Sequence, residues 1–157
     1  MFLQTLHLAQ AALAVYGAKQ SYTAITNLRK YEETSKKLAK YSNTAEHRRD
    51  KTYTTQTAGA AALLLSFFVS LTLARRGSIY GFPTRYLYQA VTVVAIYLAR
   101  RYMYEFWADK TPGLKGAVPK MGEYDEAQRK THELLKVLDL LMFTWAATFF
   151  VALVSGY

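Results

Sequence analysis

The sequence predicts an all-α membrane protein: a bundle of about four transmembrane helices, with amphipathic helical extensions on one strongly basic side. Three observations predict it. Thr52 to Ala74 is a run of 23 residues without Asp, Glu, Lys or Arg, and as helix it measures roughly 35 Å, enough for a hydrocarbon core of about 30 Å. Val137 to Tyr157 is a second such run, with Asp139 near its start. The charge is also blocked rather than spread: 17 of the 20 basic residues fall in two segments between the apolar runs, and only Arg75, Arg76 and Arg85 lie elsewhere. The near-zero mean hydropathy of the whole chain averages over these blocks and conceals them.

The chain of 157 residues is long enough for one domain, and the expected spans are 2–20, 53–75, 83–105 and 137–156. Phe2 to Ala18 is free of charge but holds Gln4, His7 and Gln10, so a surface helix and a signal peptide compete with a span. No Lys or Arg precedes Lys19, and Tyr16 suits a cleavage site badly. Residues 22–45 carry Tyr22, Ile25, Leu28, Tyr31, Leu38 and Tyr41 at helical steps, opposite Glu32–Lys36 and Glu33–Lys37 pairs. Prolonging the first span through them would carry the chain about 30 Å past the membrane, about twice the height of the return leg from Thr44 to Thr52. A bend is therefore expected, with 22–45 lying on the membrane surface, on a partner or on the loop 109–122.

Ser42-Asn43-Thr44 breaks the helices. Asn43 can cap the next one, with Glu46 three residues on. That helix should run to Arg75-Arg76, whose cations suit a helix C-terminus, with Gly77 as a left-handed cap. Pro83 suits the first turn of the third helix, which is expected to reach Ala108. Lys110-Thr111-Pro112-Gly113 stops it, and a polar helix from Glu123 feeds the last span.

By the positive-inside rule the segments 21–52 and 106–136 face the cytoplasm, or the matrix of a mitochondrion. The eleven acidic residues lie on that same side, Asp139 at the edge of the last run. Alternation of both signs argues against nucleic acid as a partner. The short third run favours the endoplasmic reticulum or another thin endomembrane, and the mitochondrial inner membrane fits the charges equally well.

Two ladders of small residues stand out: Thr54, Ala58, Ala62, Ser66, Ser70 and Ala74, then Thr144, Thr148, Ala152 and Gly156. Lipid is as apolar as Leu, so helices in a bilayer associate through close backbone approach and hydrogen bonds, which small residues allow. These faces are expected to pack on a neighbouring helix, in the same bundle or in another subunit. Arg85, Gln89 and Thr92 form a polar stripe on the third span. Asp139 enters from the basic side, within reach of Arg100, Arg101 or Lys136. Intramembrane polar groups of this kind are candidate functional sites. Arg48, Arg49, Arg100 and Arg101 are candidates for anionic headgroups or a partner. Tyr53, Tyr80, Tyr86, Tyr102, Tyr104, Trp107 and Tyr157 sit at span ends, as interfacial anchors do.

No catalytic constellation is legible. Cysteine is absent, which excludes disulfides and thiolate chemistry. His7, His47 and His132 are far apart, and His132-Glu133 fails the zinc-protease pattern because position 136 is Lys. No metal, cofactor or catalytic residue is expected. The length and four-span plan are similar in outline to small membrane glutathione and eicosanoid enzymes. Residues 53–74 lack the charged second-helix pattern of those proteins, so no membership follows. The reading is a non-catalytic integral membrane protein, an accessory or scaffold subunit whose partners are membrane lipids and other subunits or its own copies. The alternatives are a small membrane enzyme or carrier for a lipophilic substrate, and a channel-like homo-oligomer.

Overall fold

The computed structural model describes the backbone of residues 2–36, 43–76, 79–108 and 121–155, and the side chains of 2–30, 33, 50–75, 79–107 and 126–155. Four helices account for nearly all of it: α1 Phe2–Lys36, α2 Asn43–Arg76, α3 Phe82–Ala108 and α4 Met121–Ser155. Each packs antiparallel on its neighbour in a ring, α1 on α2, α2 on α3, α3 on α4 and α4 back on α1. α2 and α4 also touch across the centre, whereas α1 and α3 do not meet. The cross-section is a rhombus with α2 and α4 on its short diagonal.

The interior follows a 3.5-residue repeat. On α1 the buried line is Leu3, His7, Gln10, Ala14, Gly17, Ser21, Ala24 and Leu28; on α4 it is Ala127, Thr131, Leu134, Leu138, Leu141, Trp145, Thr148 and Ala152. Alternating steps of three and four are those of coiled-coil packing, which keeps a narrow seam facing its neighbours along the whole helix. Here the seam is built from small and polar residues as much as from Leu. Two glycines mark the tightest approaches. A Cβ on Gly17 would come within 2.7 Å of Leu63 and 3.0 Å of Val137, and one on Gly59 within 2.6 Å of the Met103 sulfur.

The helix boundaries lie within two residues of those expected from Asn43, Pro83 and Glu123, and α2 ends on Arg76. The Asn43–Glu46 cap, the Gly77 cap, the pairs Glu32–Lys36 and Glu33–Lys37, most of the loop 109–122 and Tyr157 lie outside what is described.

The expected bend after residue 20 is absent: α1 runs unbroken to Lys36. Its second half has a packing partner that the length argument left out. α4 begins at Met121, fifteen residues before Lys136, and this N-terminal extension continues the same buried line through Ala127 and Thr131. Gln20, Ser21, Ala24, Asn27 and Leu28 of α1 are buried at that level.

Two helices contain a stretch long and apolar enough to cross a membrane, Asp50–Arg75 and Glu126–Ser155. Four had been expected. α1 falls short because of Gln4, His7 and Gln10, and α3 because of Arg85, Gln89 and its tyrosines.

Candidate functional site

The polar groups of the chain converge on the inside of the bundle. Three threonines use one device. Each hydroxyl donates to a carbonyl of its own helix, three or four residues back, and accepts an N–H from another helix. Thr148 donates to Thr144 O (2.6 Å) and accepts Gln10 Nε2 (3.0 Å). Thr131 donates to Ala127 O (2.8 Å) and accepts Gln56 Nε2 (2.6 Å). Thr55 donates to Thr52 O (2.8 Å) and accepts the Trp107 indole (3.3 Å). Back-bonding satisfies the hydroxyl proton without leaving the helix, and the oxygen stays open to a neighbour.

One fully buried layer contains His7, Gln10, Ser66, Trp145 and Thr148. The Nδ1–H of His7 donates to Gln10 Oε1 (2.9 Å), which aims the Gln10 amide at Thr148. Trp145 lies 5.6 Å from the His7 ring and donates its indole N–H to Ser66 (2.9 Å). Gln56–Thr131 and Trp145–Ser66 both tie α2 to α4 across the short diagonal. None of these eight tie residues belongs to the sequence's candidate site except Ser66 and Thr148. Their signal was the 3.5-residue register, visible only if small and polar residues are counted together with apolar ones.

The expected ladders divide. Ala62, Ser66 and Ser70 are buried, Ala58 and Ala74 half-buried, and Thr54 exposed with its hydroxyl on Asp50 O. The reason is geometric: a step of four residues advances 400°, so a straight four-step ladder turns about 40° per rung and leaves any one face within a few rungs. In α4, Thr148 and Ala152 are buried and Thr144 is half-buried, while Gly156 lies outside the described residues. The small faces that are buried are thus occupied by this bundle's own helices.

The third-span stripe faces inward. Gln89 and Thr92 are buried, and Thr92 donates to Tyr88 O (2.7 Å). This gives a pore between copies of the chain no lining from those two residues. Arg85 is half-buried at the far end, its Nε donating to Tyr80 O (2.7 Å). Gln89 Oε1 and the Tyr86 hydroxyl are buried without a hydrogen-bond partner; the Tyr86 ring packs edge-on to Phe149, centroids 5.5 Å apart. At the basic side Asp139 takes both Nε and Nη2 of Arg100, the latter at 3.2 Å. The guanidinium also lies 5.4 Å over the Tyr104 ring. Arg101 pairs with Glu105 at 2.7 Å, both well exposed. The side chains of Arg48, Arg49 and His47 lie outside the described residues. Among the described residues no three acidic, His or Cys side chains are grouped to hold a metal ion.

The outer surface carries large apolar side chains as well. Phe2, Leu8 and Val15 of α1, Leu64 and Phe68 of α2, Leu87, Val91, Val94 and Leu98 of α3, and Leu140, Phe143, Phe150 and Leu153 of α4 are all exposed. Comparison with protein families, with curated proteins and with solved structures finds no match for this chain.

Proposed function

We propose that the chain is a non-catalytic integral membrane protein, an accessory or scaffold subunit in which all four helices cross the bilayer. The observation that carries this reading is the apolar outer surface: large apolar side chains stand outside on every helix, while inside hydrogen-bonded polar pairs share the core with Leu, Ile, Met and Trp. A water-soluble bundle would bury the outer set, whereas in lipid the polar groups must find partners within the protein. In α1 and α3, His7, Gln10, Gln89 and Thr92 turn inward, while Gln4 is exposed and Arg85 half-buried.

The contacts of Gly17 with Leu63 and Val137, of Arg100 with Asp139, and of Ala62 beside Ala99 put residues 17–19, 61–63, 98–101 and 136–139 at one level. On one side of that level the exposed residues are apolar apart from Gln4, Thr5, Arg75 and Ser155 towards its far end. On the other they are charged or hydroxylic: Lys30, Glu33, Lys51, Thr57, Glu105, Arg129 and His132. The apolar band from Phe2 to Ala18 is about 25 Å tall, which suits a thin bilayer such as that of the endoplasmic reticulum. Below it the bundle continues for over 20 Å as a water-exposed helical stalk, a rigid surface for other subunits.

The test is purification in a mild detergent, with the native mass and the identity of every co-purifying chain. A fixed ratio of other polypeptides is the expected result. A lone monomer or homo-oligomer overturns the subunit reading.

A second reading, a small membrane enzyme or carrier for a lipophilic substrate, has one observation in its favour: the unpaired Gln89 Oε1 and Tyr86 hydroxyl on α3. Loss of substrate turnover or transport in Gln89→Leu, with the fold intact, would decide for it.

A further inference from the structure

An open groove runs between α2 and α3 on the outer face. Its floor is Ala58, Ala61, Ala62, Ala95 and Ala99, and its walls are Leu65, Leu98 and Tyr102. A second depression, along Ala90, Val91, Val94, Ala95 and Leu98, continues it and shares Ala95 and Leu98. From Ala90 to Tyr102 the path measures about 18 Å, and half of a 30 Å hydrocarbon core is about 15 Å. The length of the groove therefore matches one leaflet.

Its Tyr102 end lies at the edge of the apolar band. At that level the described helices carry Lys19, Arg100, Arg101 and Lys136 against a single carboxylate, Asp139. Arg101 stands beside Tyr102 at the mouth, with exposed Tyr97 and Tyr104 one turn to either side. Glu105, its partner, lies one turn further into water, and an exposed pair of this kind yields readily to a competing anion. Apolar length, a collar of net positive charge and interfacial tyrosines match one chemical class.

We propose that this groove binds an anionic phospholipid of the basic-side leaflet, with an acyl chain on the alanine floor and the phosphate on Arg101 and the Tyr102 hydroxyl. The proposal rests on the membrane reading above. It extends that reading by assigning a single lipid position and a headgroup class.

The experiment uses the full chain, delipidated in mild detergent and mixed with phosphatidylglycerol or phosphatidylcholine of identical chains, with retained lipids counted by native mass spectrometry. The expected result is one phosphatidylglycerol per chain, held about tenfold more firmly than phosphatidylcholine. Arg101→Gln should erase that preference and leave weak retention of both lipids. Ala61→Trp fills the groove from an exposed position and should abolish retention of both, while Ala12→Trp on the far face of α1 changes nothing. Equal retention of the two lipids by the unaltered chain, or full retention in Ala61→Trp, overturns the proposal. So does a co-purifying polypeptide that cross-links to a probe at position 61. Extraction of the chain from membranes by alkaline carbonate would instead defeat the membrane reading itself, whereas a carbonate-resistant chain without lipid preference defeats only the lipid site.

Discussion

The indole N–H of Trp145 reaches across the bundle to the hydroxyl of Ser66, at 2.9 Å, with both residues fully buried. This tie and Gln56–Thr131 are the polar fastenings between α2 and α4 among the described residues. They sit about 15 Å apart along α2.

Removing the acceptor should strand a donor in an apolar interior. Ser66→Ala and Thr131→Val are each expected to cost about 1–3 kcal/mol. A double-mutant cycle of Ser66→Ala with Trp145→Phe should return a coupling of about 0.5–1.5 kcal/mol, in the range for interhelical bonds in bilayers. Thermal unfolding in detergent micelles measures both; full additivity would mean that the bond contributes nothing.

The rotation of the small-residue ladder predicts a gradient along it. Ala62→Leu and Ser70→Leu push into occupied space and should cost about 1–3 kcal/mol, as should Gly17→Val against Leu63 and Val137. Thr54→Leu, at the exposed end, should stay within about 0.5 kcal/mol. The same melting series checks this, and a uniform loss at all four positions would refute the gradient.

Asp139→Asn should be mild. Arg100 and Asp139 are 31% and 45% exposed in their side chains, so water and headgroups share the solvation of both charges. A loss of about 1 kcal/mol or less is expected, with co-purifying chains retained. Dissociation of the complex in this variant would make the pair an assembly contact and not a clamp within the bundle.

The level of the apolar boundary can be mapped directly, because the chain has no cysteine of its own. A single cysteine at Thr57 should react with a membrane-impermeant maleimide from the basic side, and one at Leu64, Phe68 or Phe143 should not. Protection at Thr57 would restore the sequence-based span of 53–75.

Much of the helix inventory was legible because it depends on local chemistry: an uncharged run, two arginines, Pro83, a polar triplet. What was not legible is non-local. The 22–45 stretch was expected to bend onto the membrane surface, a partner or the loop 109–122, because its length was read against the return leg from Thr44 to Thr52 alone. Residues 20–28 instead bury their inner face at the level of the start of α4, roughly a hundred residues away. The interior register escaped notice for a different reason. Hydrophobic periodicity weighs Leu and Ile, whereas His7, Gln10, Gly17, Ser21, Gln56 and Gly59 help to form the buried seam. The arginine partner of Asp139 lies among the three reachable from the basic side, and choosing Arg100 among them required the facing of α3.

The rhombic section carries one more consequence. With α2 and α4 joined across the short diagonal by Trp145 and Gln56, no axial lumen is left among the described helices. Passage of a solute along the axis of these helices would require both ties to open.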